Sequence, residues 1–428
     1  MAQTPFQLAL QNALESDNRF GGFREAFGPL DDDFKITDPQ DAAALAAAIA
    51  AVAARDPDIG MLSPLFNLIR LLQKVGSEEA FQILQSQTMP VLEGVFDREF
   101  GSGKNNAQEL GRLLSALANF GRREGFERVV RAIRSDLNCG WGWKGVFGPF
   151  GARHPFLHDL LAIPISDYPR GFVRVALLDH VNQLAIKGRL AKHPFDSDAG
   201  RQQIRDWIGD ADPEHSSYAH SATAALPFIS NPQRDELLKL AMNHVSSDIQ
   251  LEAAWAAGKL GNKGGIEFLI GACANVATFM RAARYLSELG HEADIPAECE
   301  DVDFVAEAAA RSWLAHPNEF GRQPDEIAPF DSRTILWPPA DEERLLHLFH
   351  YRYRSTEAGK ADTTGVVMTG GRSTFSLISE TTADMCAEDI YALHCCWELE
   401  MNEDPRAPDE RTVEAGRKIL GWPQTPRT

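Results

Sequence analysis

Basic stretches are missing from this sequence. Its 428 residues carry 42 Lys and Arg against 61 Asp and Glu, which gives a formal net charge of −19, and no run of Lys and Arg breaks that acidic balance. Proteins that bind nucleic acid usually show a clustered basic surface, so we expect no nucleic-acid partner. An acidic surface suits either plain solubility or a basic protein partner, and both interpretations stay open.

Long apolar runs are missing as well. No stretch approaches the ~20 consecutive apolar residues of a membrane-spanning helix, and the first residues lack the basic segment and apolar core of a secretory leader. Cysteine is scarce, and its positions lack the spacing of a disulfide framework. The six cysteines are Cys139, Cys273, Cys299, Cys386, Cys395 and Cys396. These features predict no membrane partner and a reducing, cytoplasmic location.

Signatures of catalysis are also absent. The sequence has no Gly-x-Ser-x-Gly nucleophile elbow and no assignable Ser/His/Asp order. Residues 101–104, Gly-Ser-Gly-Lys, are similar to the end of a phosphate-binding loop. That loop needs Gly at position 98 and Ser or Thr at position 105, where the chain has Arg98 and Asn105. We therefore predict no catalytic residue and no cofactor.

The densest cluster of possible metal ligands is His394, Cys395, Cys396 and Glu398. Zinc sites take Cys and His, but adjacent cysteines on a helix point about 100° apart, so only one of the two could join a shared site. The sequence offers no Cys-x-x-Cys pair to complete it. We interpret the two cysteines as small buried apolar residues and predict no metal site.

The richest pattern in the sequence lies in residues 247–290. Leu251 and Trp255 fall on one helical stripe and Leu260 falls on another, so the predicted helix is apolar on both sides and lies buried between neighbours. Gly261 ends this helix, and a second apolar helix begins after a very short turn. The pattern predicts an α-hairpin.

The junction between these two helices recurs along the chain. Leu-Gly-Asn-Lys-Gly-Gly-Ile-Glu at 260–267 has echoes at 120–127 and 75–82, where an apolar residue and Gly end one helix and a large apolar residue with Glu or Gln opens the next. Self-similarity at this spacing is typical of solenoids, in which each unit buries its apolar face against the next.

These residues resemble the HEAT-repeat family, and more narrowly the short HEAT-like repeats of the bilin lyase subunit type, over roughly residues 41–300. The matching positions are Asp248, Leu251, Ala253, Ala254, Leu260, Gly261, Ile266, Leu269 and Ile270. The resemblance implies an architecture that scaffolds, adaptors and a few enzymes share, and it implies little about chemistry.

Residues 139–165 interrupt the helical pattern. Glycine is interleaved with large aromatic residues there, and glycine at this density favours a long ordered loop over a helix. Long loops in compact proteins often bind ligands, whereas aromatic side chains stabilise mainly by burial. The segment therefore either binds a partner or fills a gap between two helical segments. The candidate binding residues are Trp141, Trp143, Phe147, His154 and His158.

The pattern changes again near the C-terminus. Prolines mark a linker over residues 317–340, after which aromatic residues at every second position in 347–354 predict a strand. Two further apolar stretches around Gly370-Gly371-Arg372 predict a hairpin. We expect the resulting sheet to cover the last helical pair, because the ends of a solenoid need a polar cover; the alternative is a separable domain.

The predicted fold is mainly α: a HEAT-like α-solenoid of stacked helical hairpins with a small C-terminal α+β domain. The expected organisation is helical repeats over 1–138, the aromatic loop over 139–165, HEAT-like repeats over 166–316, the linker over 317–340 and the α+β domain over 341–428.

The expected function is that of a non-enzymatic scaffold or adaptor that binds another protein through its concave face, its C-terminal domain or both. The alternative, which the bilin-lyase resemblance implies, is an enzyme or enzyme subunit of a lyase or modifying type. Its site would lie near the aromatic loop or the C-terminal domain. No sequence feature sets the oligomeric state.

Overall fold

A computed structural model describes residues 3–15, 27, 34–55, 64–103, 106–135, 137–169, 171–357, 359–402, 404–406 and 411–423. In these ranges the chain is mainly helical and has one four-stranded antiparallel sheet near the C-terminus. This confirms the predicted class, mainly α with a small C-terminal α+β part, while the solenoid stays a prediction. The chain divides into two compact units, Met1–Leu240 and Ala241–Thr428. None of the described helices combines the length and the apolar character that crossing a membrane requires.

The first unit is built of helices. In chain order they are α1 (Pro5–Glu15), α2 (Pro39–Arg55), α3 (Pro64–Leu71), α4 (Glu78–Phe100), α5 (Ala107–Asn119), α6 (Arg123–Arg134), α7 (Gly142–Phe147), α8 (Leu157–Leu161), α9 (Phe172–Ile186), α10 (Asp198–Ile208), α11 (Ser216–Ala224) and α12 (Gln233–Met242), which ends just past the unit boundary. Helix α2 packs along α4, and α5 packs against α4, α6 and α7.

The second unit joins helices to the sheet. Its elements are α13 (Ser247–Lys259), α14 (Lys263–Cys273), α15 (Phe279–Glu288), α16 (Val302–Leu314), β1 (Glu326–Trp337), β2 (Glu342–Tyr353), β3 (Thr363–Thr369), β4 (Phe375–Ile378), α17 (Ser379–Thr382), α18 (Ala387–Met401) and α19 (Val413–Ile419). The strand order is β1-β2-β3-β4, and Phe349 in the middle of β2 lies opposite Pro329 of β1 and Val367 of β3.

Two of the predicted helix junctions share one geometry. Gly121, between α5 and α6, and Gly261, between α13 and α14, have φ of +59° and +78°, a left-handed backbone that glycine adopts without steric cost. Four residues later, a Cβ on Gly125 would lie 2.7 Å from the Leu117 carbonyl, and one on Gly265 would lie 2.5 Å from the Ala254 carbonyl. Glycine is therefore required twice in each hairpin, once to turn and once to let the helices touch.

The third echo, at 75–82, has a different structure. Val75 is extended, with φ −68° and ψ 126°, and forms a parallel bridge with Ile36. Ile36 donates to the Lys74 carbonyl at 2.8 Å and accepts from the Gly76 amide at 3.0 Å. Pairing with a distant segment thus replaces the left-handed turn that the sequence echo predicts here.

Both faces of the sheet are covered. Trp337, Leu348 and Met368 pack against α18 on one face, while Phe349, Tyr351, Tyr353 and Val367 pack against Ala306, Ala310 and Leu314 of α16 on the other. The Tyr353 hydroxyl donates to the Leu314 carbonyl at 3.2 Å. The expected contact between the sheet and the last helix before it is therefore present.

Two stretches predicted as irregular contain regular elements. The proline-rich range 317–340 holds β1, which contains one of the prolines, Pro329. Pro329 fits because β1 is an edge strand and the register shifts between Pro329 and Asp331, and edge strands and bulges tolerate proline. The range 139–165 holds α7 and α8 despite its glycines. Helix α7 is stabilised from outside, since the Ser115 hydroxyl of α5 donates to the Gly145 carbonyl at 2.9 Å.

Candidate functional site: an aromatic-rimmed groove

The five residues singled out in the aromatic segment have different environments. Trp143 and Phe147 are buried, and the Trp143 indole N–H donates to the Leu137 carbonyl at 2.9 Å. Both side chains therefore fill the space beneath α7, as the structural alternative predicts, and neither can touch a partner. Trp141, in contrast, is 63% exposed.

The two histidines do not join this tryptophan in a site. His154 uses both ring nitrogens internally: Nε2 lies 3.0 Å from the Ala118 carbonyl, and Nδ1 accepts the Phe156 amide at 3.2 Å. Burial lowers the pKa of His154, which favours the neutral ring that these contacts need. His158 is exposed on α8. Of the five predicted binding residues, only Trp141 lines the large cavity of this unit.

That cavity, which we name the α3–α5 groove, has a volume of about 1020 Å³. It lies between α3, the start of α4, α5 and the start of α7. Its floor consists of buried apolar residues: Phe66, Ile69, Leu84, Ala116 and Phe120. Its rim carries polar and charged residues: Arg70, Gln73, Glu78, Arg112 and Asn119. An apolar floor with a few polar groups around it is typical of binding sites.

Helical periodicity places the walls of the groove. On α5, Arg112, Ser115, Ala116 and Asn119 follow the i, i+3, i+4, i+7 spacing and so form one stripe, and all four line the groove. The opposite face of α5 carries leucines that are fully or almost fully buried. The helix therefore presents one face to the core and the other to the groove.

Small residues open the space between α5 and α7. A Cβ on Gly111 would lie 3.1 Å from the Cys139 Sγ atom, so a larger residue there would crowd the aromatic segment. Gly142 and Gly145 of α7 also line the groove. Because these positions carry no side chain, the wall between the two helices stays recessed and the cavity stays empty of protein atoms.

Trp141 stands at the rim and is held in place. Its ring meets Phe172 edge-on, with centroids 4.7 Å apart, and the Lys144 Nζ atom lies 4.4 Å from its centroid. Lys144 is fixed in turn by Asp179, 2.8 Å away, and Asp179 accepts the Ser221 hydroxyl at 2.5 Å. An aromatic ring that is both exposed and positioned can bind a ligand at little further entropic cost.

The balance of charge in the lining of the groove differs from that of the whole chain. In the described part of its lining, Arg70 and Arg112 face one carboxylate, Glu78, which accepts the Gln82 amide at 2.6 Å. The Arg112 guanidinium lies 5.3 Å from the Phe66 ring centroid. Within the described ranges neither arginine pairs with a carboxylate, whereas Arg128, on α6, contacts Asp97 at 2.6 Å and Glu93 at 3.2 Å.

The second unit places its unusual polar groups inside. His394 is fully buried, and both of its ring nitrogens lack a hydrogen-bond partner within the described ranges. Glu398, one turn later, is also fully buried and accepts the Trp337 indole N–H at 2.9 Å and the Ser373 amide at 3.2 Å. Burial raises the pKa of Glu398. This carboxylate ties α18 to the loop before β4.

The neighbouring cysteines confirm their predicted role as buried apolar residues. Cys395 and Cys396 are both fully buried, and burial raises the pKa of the Cys396 thiol to about 11, so it stays protonated. Among the described residues no group of three or more His, Cys, Asp and Glu is arranged to hold a metal ion. Lys104 and Asn105, which belong to the loop excluded above as a nucleotide site, lie outside the described residues.

The sequence matches no known protein family and no curated protein. The resemblance to HEAT-like repeats therefore rests on the motifs given above, and function has to be argued from the groove. Sequence reasoning found Trp141 but missed Arg70, Arg112 and Phe66. The polar stripe on α5 was the one signal available, since it breaks the pattern of a helix buried on all sides.

Proposed function

We propose that this protein is a non-enzymatic adaptor whose α3–α5 groove holds a segment of a partner protein. The observation that carries the proposal is Trp141, an exposed and positioned indole at the rim of a groove with an apolar floor. Tryptophan is enriched among the residues that dominate binding energy at protein interfaces. A single exposed apolar residue is ordinary on a protein surface; its position beside a large apolar cavity is what favours binding.

The size of the groove favours a peptide. Its volume of about 1020 Å³ lies at the upper end of the ~300–1,000 Å³ that is usual for small-molecule sites, and the groove stays open along its rim. Polar side chains from α3, α4 and α5 surround the floor, where they can pair with the backbone of an extended or helical segment. The apolar floor would take one or two of its side chains.

Catalysis in the groove has little support. Its hydroxyl side chains are Ser77 and Ser115, and each donates its proton to a backbone carbonyl, Thr37 and Gly145 respectively, at 2.9 Å. Covalent catalysis needs a nucleophile within reach of a base, and within the described lining no histidine or cysteine is present to serve. Binding is therefore the function that we propose.

The test is to select peptides from a phage-displayed random library on the full chain and to measure their affinity by fluorescence anisotropy. Trp141→Ala should weaken binding by at least about tenfold, the usual effect of removing an interface tryptophan. Trp397→Ala is the matched control, because Trp397 is also solvent-exposed, at 37%, but lies in the second unit. It should leave affinity unchanged. Failure to select any peptide that depends on Trp141 would contradict the proposal.

A further inference from the structure

The charges of the α3–α5 groove carry an inference about the partner, which rests on the proposed function. We infer that the segment held there is acidic: a short peptide with Asp or Glu side chains beside an apolar or aromatic anchor. From the sequence alone, the net charge of −19 suits plain solubility or a basic partner. The groove favours the opposite sign.

The first observation is the balance of charge at the groove. Among the described residues, two guanidinium groups, Arg70 and Arg112, line it against the single carboxylate of Glu78. In the whole chain acidic residues outnumber basic ones by 61 to 42. A basic peptide would find one carboxylate and two like charges here, and like charges placed together oppose binding.

The second observation is that both arginines are available. Arg70 and Arg112 are exposed, and within the described ranges their guanidinium groups make no ion pair. The Arg112 guanidinium lies over the ring of Phe66, a floor residue that is only 5% exposed. Arginine stacks on aromatic faces and still offers N–H donors at its edge, which match a carboxylate in a bidentate pair.

The third observation is the position of these donors. Arg70 follows Phe66 by four residues on α3, and Arg112 precedes Ala116 by four on α5, so each cation shares a helix face with a floor residue. A side chain that enters the floor thus brings its neighbours in the peptide to the arginines. An apolar anchor flanked by carboxylates has the complementary pattern.

The experiment uses the peptides selected on the full chain. At about 0.15 M salt the Debye length is about 8 Å, so remote carboxylates of the chain are screened and the groups at the groove decide. We expect the Trp141-dependent peptides to be enriched in Asp and Glu, and each amide replacement (Asp→Asn or Glu→Gln) of a contacting acid to weaken binding. Arg70→Glu and Arg112→Glu should each weaken binding by about tenfold, since hydrogen bonds to charged groups are the stronger kind.

Arg122→Glu is the matched control. Arg122 is exposed, lies in the same unit and does not line the groove, so its reversal makes the same change in net charge and should leave affinity unchanged. Arg70→Lys and Arg112→Lys should retain part of the binding. Circular dichroism melts that coincide with those of the unaltered protein would show that the reversed variants are folded.

The possible results separate the two proposals. The inference of an acidic partner would be wrong if the Trp141-dependent peptides were neutral or basic. It would also be wrong if they bound the Arg70→Glu/Arg112→Glu protein normally. Either result would still agree with a peptide-binding groove. Competition by single-stranded DNA at the same site would overturn the inference of an acidic peptide in favour of a nucleic acid. If polyglutamate bound as tightly as the selected peptides, an apolar or aromatic anchor would not be needed, and that part of the inference would be wrong. Peptides that ignore Trp141 would overturn the groove itself.

Discussion

Two tryptophans, one in each unit of the chain, have opposite environments. In the first unit Trp141 is 63% exposed beside an open groove, while in the second unit Trp337 is fully buried between the sheet and α18. Both rings are fixed by neighbours, Trp141 by Phe172 and Lys144 and Trp337 by Glu398. The difference is that packing leaves the apolar floor beside Trp141 uncovered. For this reason we propose that binding occurs in the first unit.

The same contrast holds for polar groups. Around the groove the arginines lie on the rim and meet solvent, whereas in the second unit Glu398 and His394 are enclosed. A buried polar group costs free energy unless it is hydrogen-bonded, and Glu398 meets that requirement with three N–H donors, from Trp337, Arg372 and Ser373. Enclosed groups of this kind fix a structure, and groups on a rim remain free to recognise a partner.

The largest expected effect tests this contrast directly. Trp337→Ala removes a fully buried ring and should lower the free energy of unfolding by about 3–5 kcal/mol, as large-to-small changes in a core do. Trp141→Ala removes an exposed ring and should cost about 1 kcal/mol or less. Urea unfolding followed by circular dichroism measures both. Equal losses would mean that Trp141 is a structural residue and would weaken the case for the groove.

An intermediate effect concerns pH. Burial lowers the pKa of His394 to about 3, against about 6.5 in an unfolded chain. Between these values the unfolded chain binds a proton that the folded chain does not, so stability falls as pH falls through this window. Replacing His394 by Leu removes that loss. From about pH 7 to about pH 5 the stability of the natural protein relative to His394→Leu should decline by about 2 kcal/mol.

Two features make this measurement specific. The pH dependence that Glu398 gives to stability has the opposite sign, because burial raises its pKa and its stabilising contribution is lost as pH rises through the folded value. Glu398 is present in both proteins, so its contribution cancels when their stabilities are compared. His158→Leu is the control, because it makes the same substitution at an exposed position. Parallel profiles for the natural protein and His394→Leu would show that His394 can accept a proton in the fold.

The local sequence pattern predicted those helices and strands whose conformation does not depend on contacts with neighbouring elements. The alternation of aromatics at 347–354 predicted a strand that is present as part of β2, and the stripes around Trp255 predicted α13. Strand β1 was missed because Pro329 suggests a break, and only the edge position and the register shift explain why proline fits. Helix α7 was missed because its glycines disfavour a helix that has no neighbour such as α5.

The groove could not be predicted from the local sequence pattern, for a related reason. Trp141 stands out in the sequence, but Phe66, Arg70 and Arg112 come from helices that only tertiary packing brings together. An arginine without a carboxylate cannot be distinguished in sequence from one that has a partner, as Arg128 has. The sign of charge at a site can therefore oppose the net charge of the chain, and only the folded arrangement shows it.

The smallest expected effect compares a hairpin from each unit. Gly121 and Gly261 both have a left-handed backbone, but a Cβ on Gly261 would meet nothing within 4 Å, while one on Gly121 would touch the Pro155 ring at 3.4 Å. Asn tolerates this backbone and β-branched Val does not.

Gly261→Asn should therefore cost a few tenths of a kcal/mol and Gly261→Val about 1–2 kcal/mol. Gly121→Asn should cost slightly more than Gly261→Asn, because the side chain also has to fit against Pro155. Thermal unfolding of the three variants measures this order. A Gly261→Val protein as stable as Gly261→Asn would mean that the hairpin can turn without a left-handed residue, and the glycine shared by the two sequence echoes would then no longer support a common repeat.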